Sequence, residues 1–236
     1  MLILLPPSQG QSAPAKGRPY RLASFPGLHG AREQVLEALI GLCQGDPGKA
    51  RDTLGISPGQ AGEITRNAGL RTAPAAKAAD VYTGVLYEAL DVASLDDAAA
   101  KRLKKHVVVF SALWGMVRLD DRIPAYRCPA GVNLPGVGPL AALWRKRIPA
   151  LTEGHGLIVD LRSGPYAAMA KLDAVTIKVM HEGKVVSHFN KATKGRIVRD
   201  LMTSGATPRS KAGLAAALSD LGYPVGEPDV NTLSVG

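Results

Sequence analysis

The sequence has few of the residues that stabilise secreted or metal-binding domains. Only two of its 236 residues are cysteines, Cys43 and Cys128, and their spacing fits neither a disulfide framework nor a zinc site. The five histidines show no short paired spacing, and no carboxylate cluster suggests a cation cage. We therefore expect two unpaired thiols, no metal ion and no cofactor.

Long apolar runs are also absent. The opening MLILL has five apolar residues without a basic flank, and Pro6 and Pro7 follow it directly. Such a segment is too short for a signal peptide and far too short to span a bilayer. These features predict a cytoplasmic protein with no membrane partner.

Acidic residues are fewer than basic ones. Lys and Arg total 29 against 20 Asp and Glu, which gives a formal net charge of +9. This excess favours a polyanionic partner such as nucleic acid, a nucleotide or anionic lipid. With 46% hydrophobic residues, the chain can bury one sizeable core, so we expect one domain and a monomer.

The hydrophobic pattern predicts a mixed α/β (α+β) fold. MLILL, HVVVFS (106–111) and LIVDLRS (157–163) look like strands that are covered on both faces, and AVTIKVM and KVVSHF look like a hairpin around His181-Glu182-Gly183. Helices are predicted at REQVLEALIGLC, after Ser57-Pro58, and at KGRIVRDLM and KAGLAAALSDLG. Because the hairpin interrupts the alternation of strands and helices, we expect a single domain over 1–236, with a mixed central sheet surrounded by helices. Residues 225–236 read as a loose C-terminal tail.

SHFNKATKGRIVRD (187–200) carries a cluster of basic residues at the start of a predicted helix. With Asn190 as the N-cap, Lys191 and Lys194 fall in the first turn of the stripe that faces the core, while Arg196 points to a flank. Two ammonium groups beside a helix N-terminus favour a phosphate site. The alternative is that both lysines extend along the edge of the core towards solvent.

LRSGPYAAM places polar side chains where a buried strand ends and a helix begins. Arg162, Ser163 and Tyr166 are candidates to contact a ligand there. Asp160 lies within the strand and needs a partner, for which Arg162 is suitable. This pair either is structural or orients a ligand.

SALWGMVRLDDRIPAYRCPAG follows the other central strand as a loop interrupted by prolines. Arg118 and Arg127 can bind phosphate, and Tyr126 can stack on a base. Asp121 is suited either to orient an arginine or to act as a general base. Trp114 is expected in the core.

NLPGVGPLAALWRKRI (133–148) resembles the hairpin half of a helix-hairpin-helix. Gly136 and Gly138 would let backbone N–H groups approach a phosphate, and Arg145 would add charge. The preceding PAYRCPAGV is too rich in proline and glycine to form the first helix. The alternative is a structural turn capped by Pro139.

Five of these stretches together resemble the YaaA family of bacterial peroxide-stress proteins. LLPPSQG is similar to the family's LLSPAK or LLPPSEGK opening, DVYTGVLYEAL to DVYxGL, and FSALWGMVRLDDRIPAYR to LSGLYGxLRPxDxIxPYR. LIVDLRSGPYAAM is similar to INLASxEY, and FNKATKGRIVRDLM to KxARGxMxR. The likeness runs nearly end to end, but Gln9 stands where Lys or Glu is usual and the C-terminal end is shorter.

The resemblance implies a mixed α/β domain with a basic cleft and a helix-hairpin-helix-like element. It also implies binding of duplex or branched DNA and protection from oxidative damage, without established enzyme chemistry. The positions that match the family motifs are Asp80, Tyr82, Gly84, Ser111, Gly115, Arg118, Asp121, Tyr126, Arg127, Trp144, Ser163, Tyr166, Lys191, Gly195 and Arg196.

Two main functions follow from these observations. One is a DNA-binding stress protein that grips phosphates without sequence readout, through Arg118, Arg127, Arg145, Arg162, Lys191, Lys194 and Arg196 with the Gly136–Gly138 turn and Tyr166. The other is an enzyme acting on a nucleotide, nucleobase or damaged nucleic acid, with Asp121, Asp80, Ser163 and Tyr126 as candidate catalytic residues. A redox role for Cys128, whose thiolate Arg127 would favour, is a third hypothesis.

Overall fold

Seven strands form a central mixed sheet in the computed structural model of the chain, which describes residues 1–180 and 187–236. The strand order is β10-β11-β9-β8-β1-β3-β4. Neighbours from β11 to β3 are parallel, whereas β10 and β4 pair antiparallel at the two edges. The fold is therefore mixed α/β around a mixed sheet, as the sequence predicts.

The strands of this sheet are β1 (Leu2–Leu5), β3 (Val107–Ser111), β4 (Gly115–Val117), β8 (Ile158–Asp160), β9 (Val175–Val179), β10 (Val225–Asp229) and β11 (Thr232–Val235). Two small two-stranded sheets pair β2 (Ala76–Lys77) with β5 (Arg122–Ile123), and β6 (Asn133–Leu134) with β7 (Gly138–Pro139).

Eleven α-helices surround the sheet in the described ranges: α1 (His29–Gln44), α2 (Pro47–Leu54), α3 (Gly62–Ala68), α4 (Ala78–Val81), α5 (Val85–Leu90), α6 (Asp97–His106), α7 (Leu140–Arg145), α8 (Pro149–Thr152), α9 (Gly164–Ala167), α10 (Ser187–Ser204) and α11 (Lys211–Asp220). None of the helices described is both long enough and apolar enough to cross a lipid bilayer.

The three apolar runs form the centre of the sheet, as predicted. Strand β1 lies between β3 and β8, with Ile3 opposite both Val107 and Val159. All four residues of β1 are buried because helices cover both faces, which explains why the strand has no polar alternation. The fold therefore brings the loops after β1 and β8 to the same edge of the sheet.

The last residues do not form the loose tail that the sequence suggests. Val225–Asp229 and Thr232–Val235 make an antiparallel pair, and the second strand also pairs in parallel with β9. Leu233 and Val235 are fully buried in the core. Burial of these side chains orders the segment that the sequence analysis predicts to be loose.

The predicted hairpin around His181-Glu182-Gly183 lies in residues outside those described. Its first arm is strand β9, Val175–Val179. Residues 187–189, the end of the expected second arm, belong instead to helix α10. Since β9 pairs with β8 on one side and β11 on the other, both its edges are already occupied.

The LPGVG stretch forms a small β-hairpin, and the predicted helix-hairpin-helix is not confirmed. Strands β6 and β7 flank Pro135–Val137, and α7 follows at once. Gly136 and Gly138 have φ of 76° and 89°, a conformation that favours glycine. No helix occupies residues 124–132, so the structural-turn interpretation describes this segment.

Helix α10 begins at Ser187, three residues before the expected start, so Asn190 lies inside the helix and is not its N-cap. The helix packs very closely on α5 at Gly195. A Cβ atom there would lie 2.9 Å from the Cβ of Ala89 and 3.0 Å from the amide nitrogen of Leu90, and would clash with the carbonyl of Leu86. This contact fixes the first turns of α10 relative to the sheet edge.

Candidate functional site

A cavity of about 700 Å³ opens at the carboxyl edge of the central strands. The loop after β1 (Pro6 to Gly10) and the loop after β8 (Leu161 to Gly164) form two of its walls. In the sheet order, β1 has β3 on one side and β8 on the other, so the chain leaves β1 towards β3 and returns later at β8. Open α/β sheets bind ligands at such a switch point, beyond the carboxyl ends of the strands. The remaining walls come from Thr83 to Tyr87, from Thr176 to Lys178 and from α10.

Helix α10 contributes Lys191 and Lys194 to this cavity, as the sequence predicts. Lys191 is exposed, whereas Lys194 is half-buried and its Nζ donates to the carbonyl oxygen of Leu161 at 3.1 Å. Burial lowers the pKa of Lys194, and the carboxylate of Asp160 opposes that effect. Lys191 and Lys194 are the fifth and eighth residues of α10, so both ammonium groups come from the N-terminal half of the helix.

Asp160 and Arg162 form a buried two-point ion pair at the cavity, whose lining includes Arg162. Arg162 Nε donates to Oδ1 at 2.9 Å and Nη2 donates to Oδ2 at 2.7 Å. The guanidinium also lies 4.2 Å from the ring centre of Phe110 and donates to the carbonyls of Tyr166 and Ala170. Because its side chain is only 1% exposed, Arg162 holds the loop after β8 and has little surface left to contact a ligand.

Ser163 and Tyr166 also line the cavity, as expected for residues at a strand end. Ser163 precedes the short helix α9 and is exposed, with no capping hydrogen bond from its side chain. Burial raises the pKa of Tyr166 to about 12, so its phenol is protonated at neutral pH. These hydroxyls are available to orient a polar ligand.

A small recess adjoins the main cavity and shares Ser8, Gln9 and Tyr166 with it. Arg127 lines this recess, which places it near the cavity as predicted. Its backbone is clamped by the side-chain amide of Asn67, with bonds of 2.7 and 3.0 Å. Its buried Nε has no hydrogen-bond partner among the described residues.

Tyr126 belongs to a buried hydroxyl network. Its Oη lies 2.7 Å from Ser111 Oγ and 2.9 Å from Tyr82 Oη. Burial raises its pKa well above the ordinary value, and only 3% of the residue is exposed. This position is poorly suited to proton exchange with a ligand.

Arg118 and Asp121 lie at the opposite, amino edge of the sheet. Arg118 Nη1 donates to the carbonyls of Lys105 and Val107, where β3 begins, and its guanidinium stacks 5.5 Å from the ring centre of Phe25. Asp121 accepts from the backbone N–H groups of Ala23, Ser24 and Arg118 at 2.8–3.1 Å. The predictions of phosphate binding for Arg118 and of acid–base chemistry for Asp121 are therefore not supported by this placement.

Five other predicted residues also lie outside the cavity lining. Asp80 is exposed on the short helix α4. Arg145 donates twice to the carbonyl of Ala168, at 3.1 and 2.9 Å. Arg196 is exposed beside Thr193, and the Gly136–Gly138 turn protrudes near α7. The predicted cations are thus only partly collected in one groove.

Several cavity residues were missed from the sequence. Ser8 and Gln9 lie in the loop after β1, whose polarity was the available signal. Thr83 enters at the start of α5, and Asn190 has a buried Oδ1 with no partner among the described residues. For Thr83, the available signal was the match of the surrounding DVYTGVLYEAL stretch to the family motif.

The two cysteines are buried and unpaired. Burial raises the pKa of the Cys128 thiol to about 12, and burial raises that of Cys43 as well. Arg127 therefore does not make Cys128 a thiolate, which removes the basis of the redox hypothesis at that residue. In the described part of the chain, no group of three or more His, Cys, Asp or Glu residues is placed to hold a metal ion.

Comparison with known sequences decides the family. A sequence profile described as peroxide stress protein YaaA matches residues 1–227. The chain belongs to the YaaA family. Members similar to it include a UPF0246 protein of Streptomyces coelicolor, 52% identical over 95% of this chain and 92% of the relative. Another is a UPF0246 protein of Corynebacterium efficiens, 41% identical over 96% of this chain and 93% of the relative.

Membership of the YaaA family supports a role in the response to oxidative stress. The motifs that carried the resemblance fall on distinct parts of the structure. Gly84, Ser163, Tyr166 and Lys191 line the cavity, whereas Gly195 makes the close contact between α10 and α5. The YaaA signature thus combines cavity residues with residues that position them.

Proposed function

We propose that this YaaA protein acts in the stress response as a DNA-binding protein that grips phosphates without reading sequence. The observation that supports this most strongly is the pair Lys191 and Lys194 on one wall of the cavity. Neither has a carboxylate within ion-pair distance among the described residues. Both ammonium groups are available to an incoming anion.

The surroundings of the lysine pair support binding of an external anion. Lys194 is held by the carbonyl of Leu161, so its ammonium group is already oriented before a ligand arrives. Arg196, two residues after Lys194, is exposed and adds positive charge to the surface of the same helix.

The net charge of +9 supports a long anionic partner, because distributed charge steers and holds a polyanion. Duplex or branched DNA would lay its backbone across the cavity mouth, with one phosphate at Lys191 and Lys194. Specificity would come from the shape of the DNA, since the lysines contact phosphate and carry no base readout.

Fluorescence anisotropy with labelled duplex and branched DNA tests the proposal. We expect binding that weakens steeply with salt, with a slope of log affinity against log salt near −0.9 for each phosphate contacted. Lys191→Ala should weaken binding to all sequences and reduce that slope by about 1. Lys194→Met, which keeps the buried stem, should do the same.

Lys49→Ala provides a matched control, because Lys49 is an exposed helical lysine on α2, outside the cavity lining. Its slope should equal that of the unmodified protein. Absence of DNA binding at low salt, or equal losses for Lys49→Ala and Lys191→Ala, would overturn the proposal.

The size of the cavity favours one second candidate, an enzyme that acts on a nucleotide or nucleobase. Its volume of about 700 Å³ is in the range of small-molecule sites, about 300–1,000 Å³. Ser163 and Tyr166 would orient the ligand, and Lys194, with its lowered pKa, would be the group best suited to proton transfer. Asp121 and Asp80 have no part in this scheme because both lie outside the cavity lining.

A panel of nucleotides and nucleosides, monitored for product by liquid chromatography, separates the two candidates. Turnover that is lost in Lys194→Met while DNA affinity persists would support the enzyme. DNA binding without turnover on any member of the panel would support the binding protein alone.

A further inference from the structure

Five aromatic side chains form a continuous path from the cavity to the partly exposed Tyr20. The ring centres of Tyr87 and Tyr82 are 5.4 Å apart, and the hydroxyls of Tyr82 and Tyr126 are 2.9 Å apart. The Tyr126 and Trp114 ring centres are 6.2 Å apart, and those of Trp114 and Tyr20 are 5.2 Å apart. Each side chain therefore lies in contact range of the next.

The two ends of the path have different environments. Tyr87 lines the cavity and is otherwise buried, with its hydroxyl donating to the carbonyl of Pro6 at 2.8 Å. Tyr20 is partly exposed, and its hydroxyl donates to Glu33 Oε1 at 2.8 Å. Arg71 Nη1 donates to the same phenolic oxygen at 3.0 Å. Among the described residues, therefore, the outer end has a carboxylate that can accept a phenolic proton and the cavity end has none in hydrogen-bond contact.

The middle of the path is dry and short of proton acceptors. Tyr82, Tyr126 and Trp114 are each at most 3% exposed. Trp114 Nε1 has no hydrogen-bond partner among the described residues. A Trp114 radical cation would keep its proton and would readily take an electron from a neighbour, so Trp114 suits a relay better than an end point.

We propose that these five side chains carry one-electron oxidation away from the cavity to Tyr20. A one-electron oxidant in the cavity, such as a hydroxyl or carbonate radical, takes an electron from Tyr87. Electrons then move inward in turn from Tyr82, Tyr126, Trp114 and Tyr20, so the first four side chains return to their starting state.

The chemistry balances at Tyr20. Loss of its electron is coupled to transfer of its phenolic proton along the hydrogen bond to Glu33 Oε1, which leaves a neutral tyrosyl radical and a neutral carboxyl group. A soluble thiol then donates a hydrogen atom to the radical and becomes a thiyl radical, and Glu33 releases its proton to water. Oxidising equivalents are thus removed from the ligand in the cavity.

A photosensitiser fixed at the cavity mouth tests this path. Lys178 is exposed and lines the cavity, so Lys178→Cys can be labelled with a ruthenium polypyridyl reagent while the buried Cys43 and Cys128 stay protected. Flash oxidation of the ruthenium should produce a tyrosyl radical by electron paramagnetic resonance. Spin trapping and peptide mass spectrometry should place it at Tyr20.

Trp114→Phe should abolish the Tyr20 adduct, because a phenylalanine ring is too hard to oxidise to relay the electron. Trp144→Phe is the matched control, since Trp144 is equally buried but lies outside the path and donates to the carbonyl of Ala112. Equal Tyr20 adducts in both variants, or no Tyr20 adduct in the parent Lys178→Cys protein, would overturn the proposal.

Two variants at the outer end of the path, at Tyr20 and Glu33, keep the test decisive if Trp114→Phe does not fold. Tyr20→Phe should lengthen the lifetime of the tryptophan radical in transient absorption, because its electron donor is gone. Glu33→Gln should reduce the yield of the Tyr20 radical, because an amide does not accept the phenolic proton. An unchanged tryptophan radical lifetime in Tyr20→Phe would contradict the path.

Discussion

Arg162 Nε and Nη2 each donate to a different oxygen of Asp160, and this pair fixes the loop that forms one wall of the cavity. Asp160→Ala would leave a buried guanidinium without its counter-charge. Breaking a buried pair in this way costs about 3–5 kcal/mol, so we expect urea unfolding to show a loss of that order. The variant should also lower the pKa of Lys194 further, because Asp160 raises it.

Asp52→Asn is a suitable control for that substitution, because Asp52 is exposed on α2 and makes no ion pair in the described structure. Its midpoint in urea should stay within error of the parent. A loss for Asp160→Ala no larger than for Asp52→Asn would show that the buried pair does not stabilise the fold.

Gly195→Ala should destabilise the protein, although alanine is the better helix former. The new methyl group would clash with the carbonyl of Leu86, and overpacking of this kind costs about 1–3 kcal/mol. Gly41→Ala on α1 makes the same substitution in open space, where it should stabilise by about 0.5–1 kcal/mol. Thermal unfolding of both variants tests the opposite signs; two shifts in the same direction would rule out the crowding argument.

Alkaline pH should destabilise the fold through its buried thiol and phenols. The pKa of Cys128 rises from about 9 to about 12 on folding, so above pH 9 the unfolded chain loses its thiol proton while the folded chain keeps it. Stability from this group is complete below pH 9 and falls as the pH rises towards 12. Urea titrations from pH 7 to 11 should show the decline, and Cys128→Ala should make it shallower.

The same burial predicts slow chemistry at Cys128. In native protein at pH 8, alkylation by iodoacetamide should occur only as fast as the chain opens, and it should accelerate in urea. Mass spectrometry of timed samples provides the measurement. Rapid native labelling of Cys128, or early sulfenic acid there under peroxide, would show that the thiol is accessible and reactive.

Asp121→Ala should lower stability and leave DNA affinity unchanged. The carboxylate satisfies three backbone N–H groups, and leaving such donors unpaired in the interior costs about 1–3 kcal/mol. Because Asp121 lies at the amino edge of the sheet, the cavity should keep its shape. Anisotropy titrations below the lowered melting temperature separate the two effects, and weaker DNA binding there would place Asp121 in the interface.

The centre of the fold was predictable because it depends on local pattern. The runs that became β1, β3 and β8 are apolar on both faces, and only a strand covered on both sides needs such a run. Ser57 and Pro58 marked a helical start, which the structure has as a short 3-10 turn leading into α3. Lys194 lies on the face of α10 that packs towards the core, as the helical periodicity predicts.

The remainder depends on partners far away in the chain. Asp121 looked like a free carboxylate, yet two of its donors are 97 and 98 residues distant. Arg118 looked like a phosphate ligand, but carbonyls at the start of β3 occupy it. The final strands were missed because β11 is ordered by pairing with β9, and no pattern within residues 225–236 indicates that partner.

The pairing of Ile3 with both Val107 and Val159 has a consequence for synthesis on the ribosome. The middle of the sheet emerges long before either of its neighbours, so a partly made chain exposes an apolar strand with both edges unsatisfied. Assembly must wait for contacts that are distant in sequence, which slows folding and invites aggregation. A protein of this topology should depend on chaperones during translation. That dependence matters most under oxidative stress, when damaged proteins also occupy the chaperones.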